Sequence, residues 1–131
     1  MTSPTLGSLL LSSTDPERLR DWYAHAFEPV VSQTPGGQYD VLDFGGFYVM
    51  IDTRDDIGQV NPEPGRIVLN IDVPDARAVA TRLADERWLA ELDDRDGSLF
   101  GTVIDPDGNY VQFIQLSDEA RAAMEAGDGQ G

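Results

Sequence analysis

The sequence lacks cysteine altogether and contains a single histidine. Disulfides, thiolate catalysis and cysteine metal sites are therefore excluded. No apolar run approaches the roughly 20 residues that a membrane-spanning helix needs, so we expect no membrane contact. The N-terminus has neither a basic flank nor a cleavage-type segment, so we expect no secretory signal and take a cytoplasmic protein as the default.

Basic residues are also scarce, since 9 lysines and arginines face 24 aspartates and glutamates, for a net charge of −15. This balance disfavours nucleic acids and anionic membranes as partners. Two interpretations of the acidity stay open: it serves solubility alone, or it attracts a cationic ligand to a cleft. The length of 131 residues predicts one domain, large enough to fold without disulfides or metals.

A turn followed by a strand is the most informative local pattern. Residues 105–114 read DPDGNYVQFI. Proline at the second position and glycine at the fourth suit a type I turn closed by a left-handed residue. The apolar-rich stretch that follows favours a strand. Asp107, Gly108 and Asn109 are interpreted as turn residues with no catalytic role.

The chain contains this design twice, because each half predicts a strand, an amphipathic helix and three further strands. The predicted strands are residues 8–11, 29–33, 39–44, 47–52, 66–71, 88–92, 98–104 and 110–116. The predicted organisation of residues 1–131 is a single domain with module 1 at about 5–52, a polar linker at 53–65, module 2 at about 66–116 and a tail at 117–131. The tail is expected to begin as a short helix and to fray at its end.

The two helix starts align the copies. Thr14 is predicted to cap the first helix, with Pro16 in its first turn. A shift that places Pro16 on Pro74 also places Ser8 on Arg66.

The doubled pattern, the helix entry at residues 14–17 with Trp22 and Tyr23 behind it, and the closing motif at 105–113 resemble the vicinal oxygen chelate superfamily. This superfamily includes glyoxalase I, bleomycin resistance proteins and extradiol dioxygenases. The resemblance covers nearly the whole chain. It implies an α+β fold of two tandem βαβββ modules whose curved sheets form a U-shaped groove, usually in a homodimer, with the site inside the groove.

Metal-dependent members of this superfamily carry ligands on the first and last strand of each module. The resemblance places these positions at Ser8, Met50, Arg66 and Gln112. Only Gln112 is a plausible ligand, because Met50 is a soft thioether and Arg66 is a permanent cation. We therefore expect no metal and no other cofactor. The alternative is an all-oxygen metal site built from the carboxylates of Asp40, Asp43 and Asp52.

Without a metal, the groove is expected to be a small-molecule surface, mostly apolar with a few polar groups. The predicted ligand-binding residues are Ser8, Tyr48, Met50, Asp52, Arg66, Trp88, Tyr110 and Gln112. Tyr48 and Tyr110 are related by the repeat and can stack on a planar ligand. Trp88 is placed at the edge of the groove.

Two residues have competing interpretations. Arg66 either binds an anionic group of the ligand or forms an ion pair with Asp52 or another acid of the groove. His25 either acts as a general base or lies at the surface near the end of its helix, and we favour the surface position.

Three hypotheses for function follow. The first, which we favour, is a non-catalytic binding protein that sequesters a cationic or planar drug or metabolite as a homodimer, with no nucleic-acid or membrane partner. The second is a divergent glyoxalase-like lyase or isomerase, or another metal-dependent enzyme of the superfamily. The third is a protein-interaction module that has retained only the scaffold.

Overall fold

Each half of the chain forms a strand, a helix and three further strands, as the sequence pattern predicts. The computed structural model describes residues 3–128. The elements are β1 (Ser8–Ser13), α1 (Pro16–Phe27), β2 (Val30–Gln33), β3 (Asp40–Asp43), β4 (Tyr48–Thr53), β5 (Leu69–Asp72), α2 (Ala76–Arg82), β6 (Arg87–Arg95), β7 (Ser98–Ile104), β8 (Tyr110–Gln115) and α3 (Asp118–Asp128). The chain divides into two compact units between Asn61 and Pro62, here called unit 1 and unit 2.

Unit 1 contains a four-stranded sheet with the order β1-β4-β3-β2. β1 and β4 are parallel, and the other pairs are antiparallel. The helix α1 covers one face of this sheet, because its apolar residues recur at helical spacing and become buried. The buried residues of this core are Leu19, Trp22, Tyr23, Ala26, Leu42, Val49 and Ile51. The face turned away from α1 is called the open face of unit 1.

Unit 2 repeats this plan with the strand order β5-β8-β7-β6 and a parallel β5–β8 pair. The helix α2 contacts β6, β7 and β8. Its core residues are Ala76, Val79, Leu83, Val103, Val111 and Phe113, all nearly or fully buried. The face turned away from α2 is called the open face of unit 2. Within residues 3–128, no helix has the length and apolar content required to cross a membrane.

The helix starts correct the alignment of the two copies. Asp15, not Thr14, caps α1, since its Oδ1 accepts a hydrogen bond from the backbone N of Arg18 at 3.2 Å. Asp75 caps α2 in the same way through the backbone N of Ala78, at 3.1 Å. Matching the two capping carboxylates, instead of the two prolines, shifts the alignment by two residues.

With this alignment, Val68 corresponds to Ser8, and Arg66 does not. β5 begins at Leu69, three residues later than predicted, so Arg66 lies before the strand. β6 extends to Arg95, beyond its predicted end, and its pairing with β7 contains two register shifts. The tail helix is confirmed as α3. The last three residues of the predicted tail lie outside the described residues.

Candidate functional site

The open face of unit 1 brings four of the predicted site residues together. The parallel register places Ser8 beside Tyr48, and it places Met50 and Asp52 at the next same-side positions along β4. Because side chains alternate between the two faces of a strand, all four lie on the face away from α1. The expectation that alternate residues of β1 and β4 share one face therefore holds for unit 1.

This face exposes apolar and aromatic side chains. Leu10, which lies beside Met50 in the register, is 49% exposed, and Tyr48 is 42% exposed. A sheet face with this composition offers both apolar contact and an aromatic ring for stacking.

Asp52 is the acidic residue that β4 places on the open face of unit 1. Its Oδ1 atom is buried and has no hydrogen-bond partner among residues 3–128. A buried acceptor without a donor is unfavourable, and more so when it carries charge. Ser12 lies beside Asp52 in the register of β1 and β4. This carboxylate oxygen therefore lacks the hydrogen bond that would offset the cost of its burial.

Arg54, the cationic residue nearest to Asp52 in the sequence, already forms an ion pair with Asp56. The Arg54 guanidinium hydrogen-bonds both carboxylate oxygens of Asp56, with Nε 2.8 Å from Oδ1. This hydrogen bond raises the pKa of Arg54 and lowers the pKa of Asp56. Asp52 acts on Arg54 only through a weaker charge–charge attraction.

The alternative all-oxygen metal site in unit 1 is not assembled. Asp40 faces α1, where its Oδ1 accepts from Arg20 Nη1 at 3.3 Å and from Gln33 Nε2 at 3.1 Å. Hydrogen bonds, first to Asp21 and then to Asp40, raise the pKa of Arg20. Asp40 and Asp52 therefore lie on opposite faces of the sheet. In the described part of the chain, no group of three or more histidine, aspartate or glutamate side chains could hold a metal ion.

The open face of unit 2 has a different polarity. Gln112 of β8 lies between Asn70 of β5 and Thr102 of β7 in the strand register. These three neighbouring side chains are polar and neutral, whereas the corresponding row of unit 1 contains Leu10 and Met50. Strand alternation places Tyr110, a predicted ligand-binding residue, on the same face as Gln112.

Trp88 does not belong to this face. Its indole Nε1 donates to the backbone O of Leu83 at 2.9 Å, and its ring packs edge-on against Phe113 with centroids 5.8 Å apart. Both partners belong to the core under α2. The placement of Trp88 at a groove edge was wrong, because the register of β6 turns its side chain toward the helix.

Arg66 also lies away from the strand positions. Its Nε is 3.0 Å from Oε2 of Glu63, and the arginine side chain is 75% exposed. This ion pair is neither of the two predicted arrangements, since both Glu63 and Arg66 lie between β4 and β5 and not on a strand. A pair this exposed contributes little to stability.

No known family model matches the sequence, and no curated protein matches it. Solved structures do match. TioX from Micromonospora sp. ML1 has a TM-score of 0.66 and 23% identity, covering 86% of this chain and 98% of TioX. The oxidase ChaP-H2 has a TM-score of 0.71 and 15% identity, covering 88% and 96%. A glyoxalase/bleomycin resistance protein/dioxygenase from Nocardioides has a TM-score of 0.62 and 14% identity, covering 90% and 87%.

The chain has the vicinal oxygen chelate fold. This confirms the fold predicted from the doubled βαβββ pattern and the closing motif. At these identities, the likeness establishes the fold and leaves the activity to the side chains of this chain.

The donor set on the strands does not fit the divalent ion of metal-dependent proteins with this fold. In the strand register, the first-strand neighbour of Met50 is Leu10 and that of Gln112 is Asn70, in place of the predicted Ser8 and Arg66. Two amides, a thioether and an alkyl group supply no imidazole and no carboxylate for such an ion.

The closing motif of the vicinal oxygen chelate fold is a structural turn in this chain. Asp105 is fully buried. Its Oδ1 accepts from the backbone N of Asp107 and of Asn109, each at 2.9 Å, and its Oδ2 accepts from Asn109 Nδ2 at 2.9 Å. Gly108 has φ +82°, the left-handed conformation that closes the turn. The interpretation of Asp107, Gly108 and Asn109 as turn residues is confirmed.

The remaining sequence interpretations concern His25 and the polar row. His25 is exposed in the last turn of α1, so the surface position is confirmed. Ser12 and Thr102 were not predicted as neighbours of site residues. Their polarity within otherwise apolar strands was the available signal.

Proposed function

We propose that this protein binds a small organic molecule with a cationic group on the open face of unit 1 and holds it without converting it. The observation that carries the proposal is the buried Oδ1 of Asp52, which has no donor among the described residues. An ammonium or guanidinium group would supply a charge-assisted hydrogen bond to this atom. The net charge of −15 favours the approach of such a ligand.

The side chains around Asp52 support an apolar or planar body on the same ligand. Tyr48 and Leu10 are about half exposed on the same face and present an aromatic ring and a branched alkyl group. Ser8 and Met50 complete the proposed contact surface of unit 1. Independently of that surface, we propose that Tyr110 and Gln112 bind a small molecule on the open face of unit 2. Arg66 and Trp88 are left out because of where the structure places them.

A second candidate function rests on the same observation. A carboxylate oxygen that receives no hydrogen bond can instead accept a proton from a bound substrate, which is the role of a general base. A divergent lyase or isomerase that uses Asp52 to remove a proton from its substrate is therefore the alternative. This alternative requires the protein to convert the bound molecule into a product, whereas sequestration requires no conversion.

The test is a thermal-shift screen of cationic antibiotics and planar metabolites, each paired with a neutral analogue. We expect cationic compounds to raise the melting temperature, because a ligand that binds only the folded state stabilises it by about 2.7 kcal/mol at a hundred times its dissociation constant. The Asp52→Asn variant, which keeps the shape and removes the charge, should lose most of this stabilisation. Asp55→Asn, the same change in the exposed loop after β4, is the matched control.

Three results would contradict the proposal. The first is equal stabilisation of wild type and Asp52→Asn, and the second is a preference for the neutral analogues. The third is disappearance of the bound compound by mass spectrometry, which would favour the enzyme. Metal analysis of protein purified without chelator completes the test, with well under one equivalent of divalent metal expected.

A further inference from the structure

We propose that unit 2 contains a separate site for amphipathic organic cations, in the cleft between α3 and the end of its sheet where β6 turns into β7. The cleft has a volume of about 650 Å³, within the range of small-molecule sites. It lies wholly within unit 2 and shares no residue with the Asp52 site of unit 1.

The floor of the cleft is apolar. Phe100 of β7 and Leu116, which follows β8, contribute from the sheet. Ala120 and Ala123 contribute from α3, and because they are three residues apart they lie on the same side of the helix. The two small side chains leave room for a ligand beside the Phe100 ring.

Hydrogen bonds at the start of α3 fix the wall of the cleft. The backbone N of Ser117 donates to Ser98 Oγ at 2.9 Å, which joins the helix start to the first residue of β7. Ser117 Oγ in turn accepts from the backbone N of Ala120 at 3.1 Å and caps the helix. The position of Ala120 relative to the sheet is therefore defined before any ligand binds.

The charges that line the cleft favour a cationic ligand. Asp96 and Glu119 line the cleft, and within residues 3–128 neither carboxylate has a hydrogen-bond or ion-pair partner. The one guanidinium at the cleft, that of Arg95, is already paired with Asp93 at 2.9 Å and lies 5.0 Å from the centroid of the Phe100 ring. The surplus charge in the cleft is therefore negative, which favours an ammonium group attached to an apolar body.

The turn that presents Asp96 has the geometry of a tight hairpin. Asp96 and Gly97 both have positive φ, +54° and +88°, as a two-residue hairpin turn of type I′ requires. The backbone N of Gly97 also donates to Asp94 Oδ1 at 2.8 Å. Asparagine tolerates the left-handed conformation, so the charge of Asp96 can be removed without disturbing the turn.

The experiment uses three probes with one apolar body: 4-phenylbutylamine, 4-phenyl-1-butanol and 4-phenylbutyrate. Each is titrated into the full-length protein while the amide signals of Phe100, Leu116 and Ala120 are followed by NMR. We expect the amine to bind most tightly, the alcohol less tightly and the carboxylate least. The double variant Asp96→Asn/Glu119→Gln should weaken amine binding roughly three- to tenfold, the scale of two exposed charge contacts.

Two controls separate this site from other causes. Glu125→Gln removes a charge from the same helix at an exposed position outside the cleft and should leave the affinity unchanged. Asp52→Asn should also leave these amide shifts unchanged, so that this proposal and the proposed function can fail independently.

Three outcomes would overturn the proposal. One is the absence of shifts at the cleft amides with any probe. Another is equal affinity for the amine and the alcohol. The third is amine binding by the double variant as tight as that of wild type.

Discussion

Two aspartates show what burial does to a carboxylate in this protein. Asp105 is fully buried and receives hydrogen bonds from two backbone groups and one amide side chain. Asp52 has a buried oxygen with no donor in the described part of the chain. The first arrangement stabilises the folded state, and the second leaves a buried acceptor without the hydrogen bond that would offset its desolvation.

Asp105→Ala should therefore destabilise the protein. The substitution leaves buried backbone groups at the β7–β8 turn without their acceptor, at a cost of about 3 kcal/mol. Urea unfolding measures the change. Asp85→Ala, at an exposed position after α2, is the matched control and should stay within about 0.5 kcal/mol of wild type. Equal unfolding midpoints for the two variants would show that the turn does not depend on the carboxylate.

At the scale of elements, close packing between neighbouring strands restricts which residue can occupy position 101. Gly101 of β7 lies beside Phe113 of β8 in the register. A Cβ atom built on Gly101 would lie 2.8 Å from Cζ of Phe113 and 3.3 Å from Cδ2 of Leu92. The ring of Phe113 occupies the space that any side chain at residue 101 would need, so glycine is required for packing at this point.

Gly101→Ala should destabilise unit 2 by about 1–3 kcal/mol, because the ring must move out of a packed core. Chemical denaturation provides the measurement. Gly58→Ala is the control, since the nearest atom to its added Cβ is 3.9 Å away and its φ is not left-handed. Adding Phe113→Leu to Gly101→Ala should recover part of the loss. If Gly101→Ala unfolds at the same denaturant concentration as Gly58→Ala, the contact is not restrictive.

The elements also show how far local sequence could be interpreted. The number, type and order of the paired strands and helices followed from apolar periodicity and turn residues. The pairing of the two helix starts did not, because proline is tolerated on either side of a cap. Asp15 and Asp75 decide the equivalence by hydrogen bonding, and Arg66 thereby loses its assigned place on a strand.

At the scale of the whole molecule, an excess of acidic residues acts on every association of the chain. With a net charge of −15, two copies repel each other over a distance set by the salt concentration. A dimer therefore requires contacts strong enough to exceed this repulsion, and it should strengthen as salt is added.

We expect light scattering at micromolar concentration to give twice the mass of the chain, with the dimer favoured at high NaCl over low NaCl. Screening of like charges is the physical reason. A mass that stays at that of one chain in both conditions would contradict the homodimer and would confine any ligand site to a single chain.

Local patterns in the sequence determined the two βαβββ repeats and the structural role of the turn at Asp105. These follow from short-range spacing and from side-chain chemistry, which the sequence contains directly. Only the tertiary structure decided which buried carboxylate oxygen lacks a donor, that Trp88 faces a helix, and that α3 forms one wall of a cleft. Each of these depends on contacts between side chains that are far apart in the sequence. Register shifts and helix placement determine those contacts, and local periodicity does not predict them.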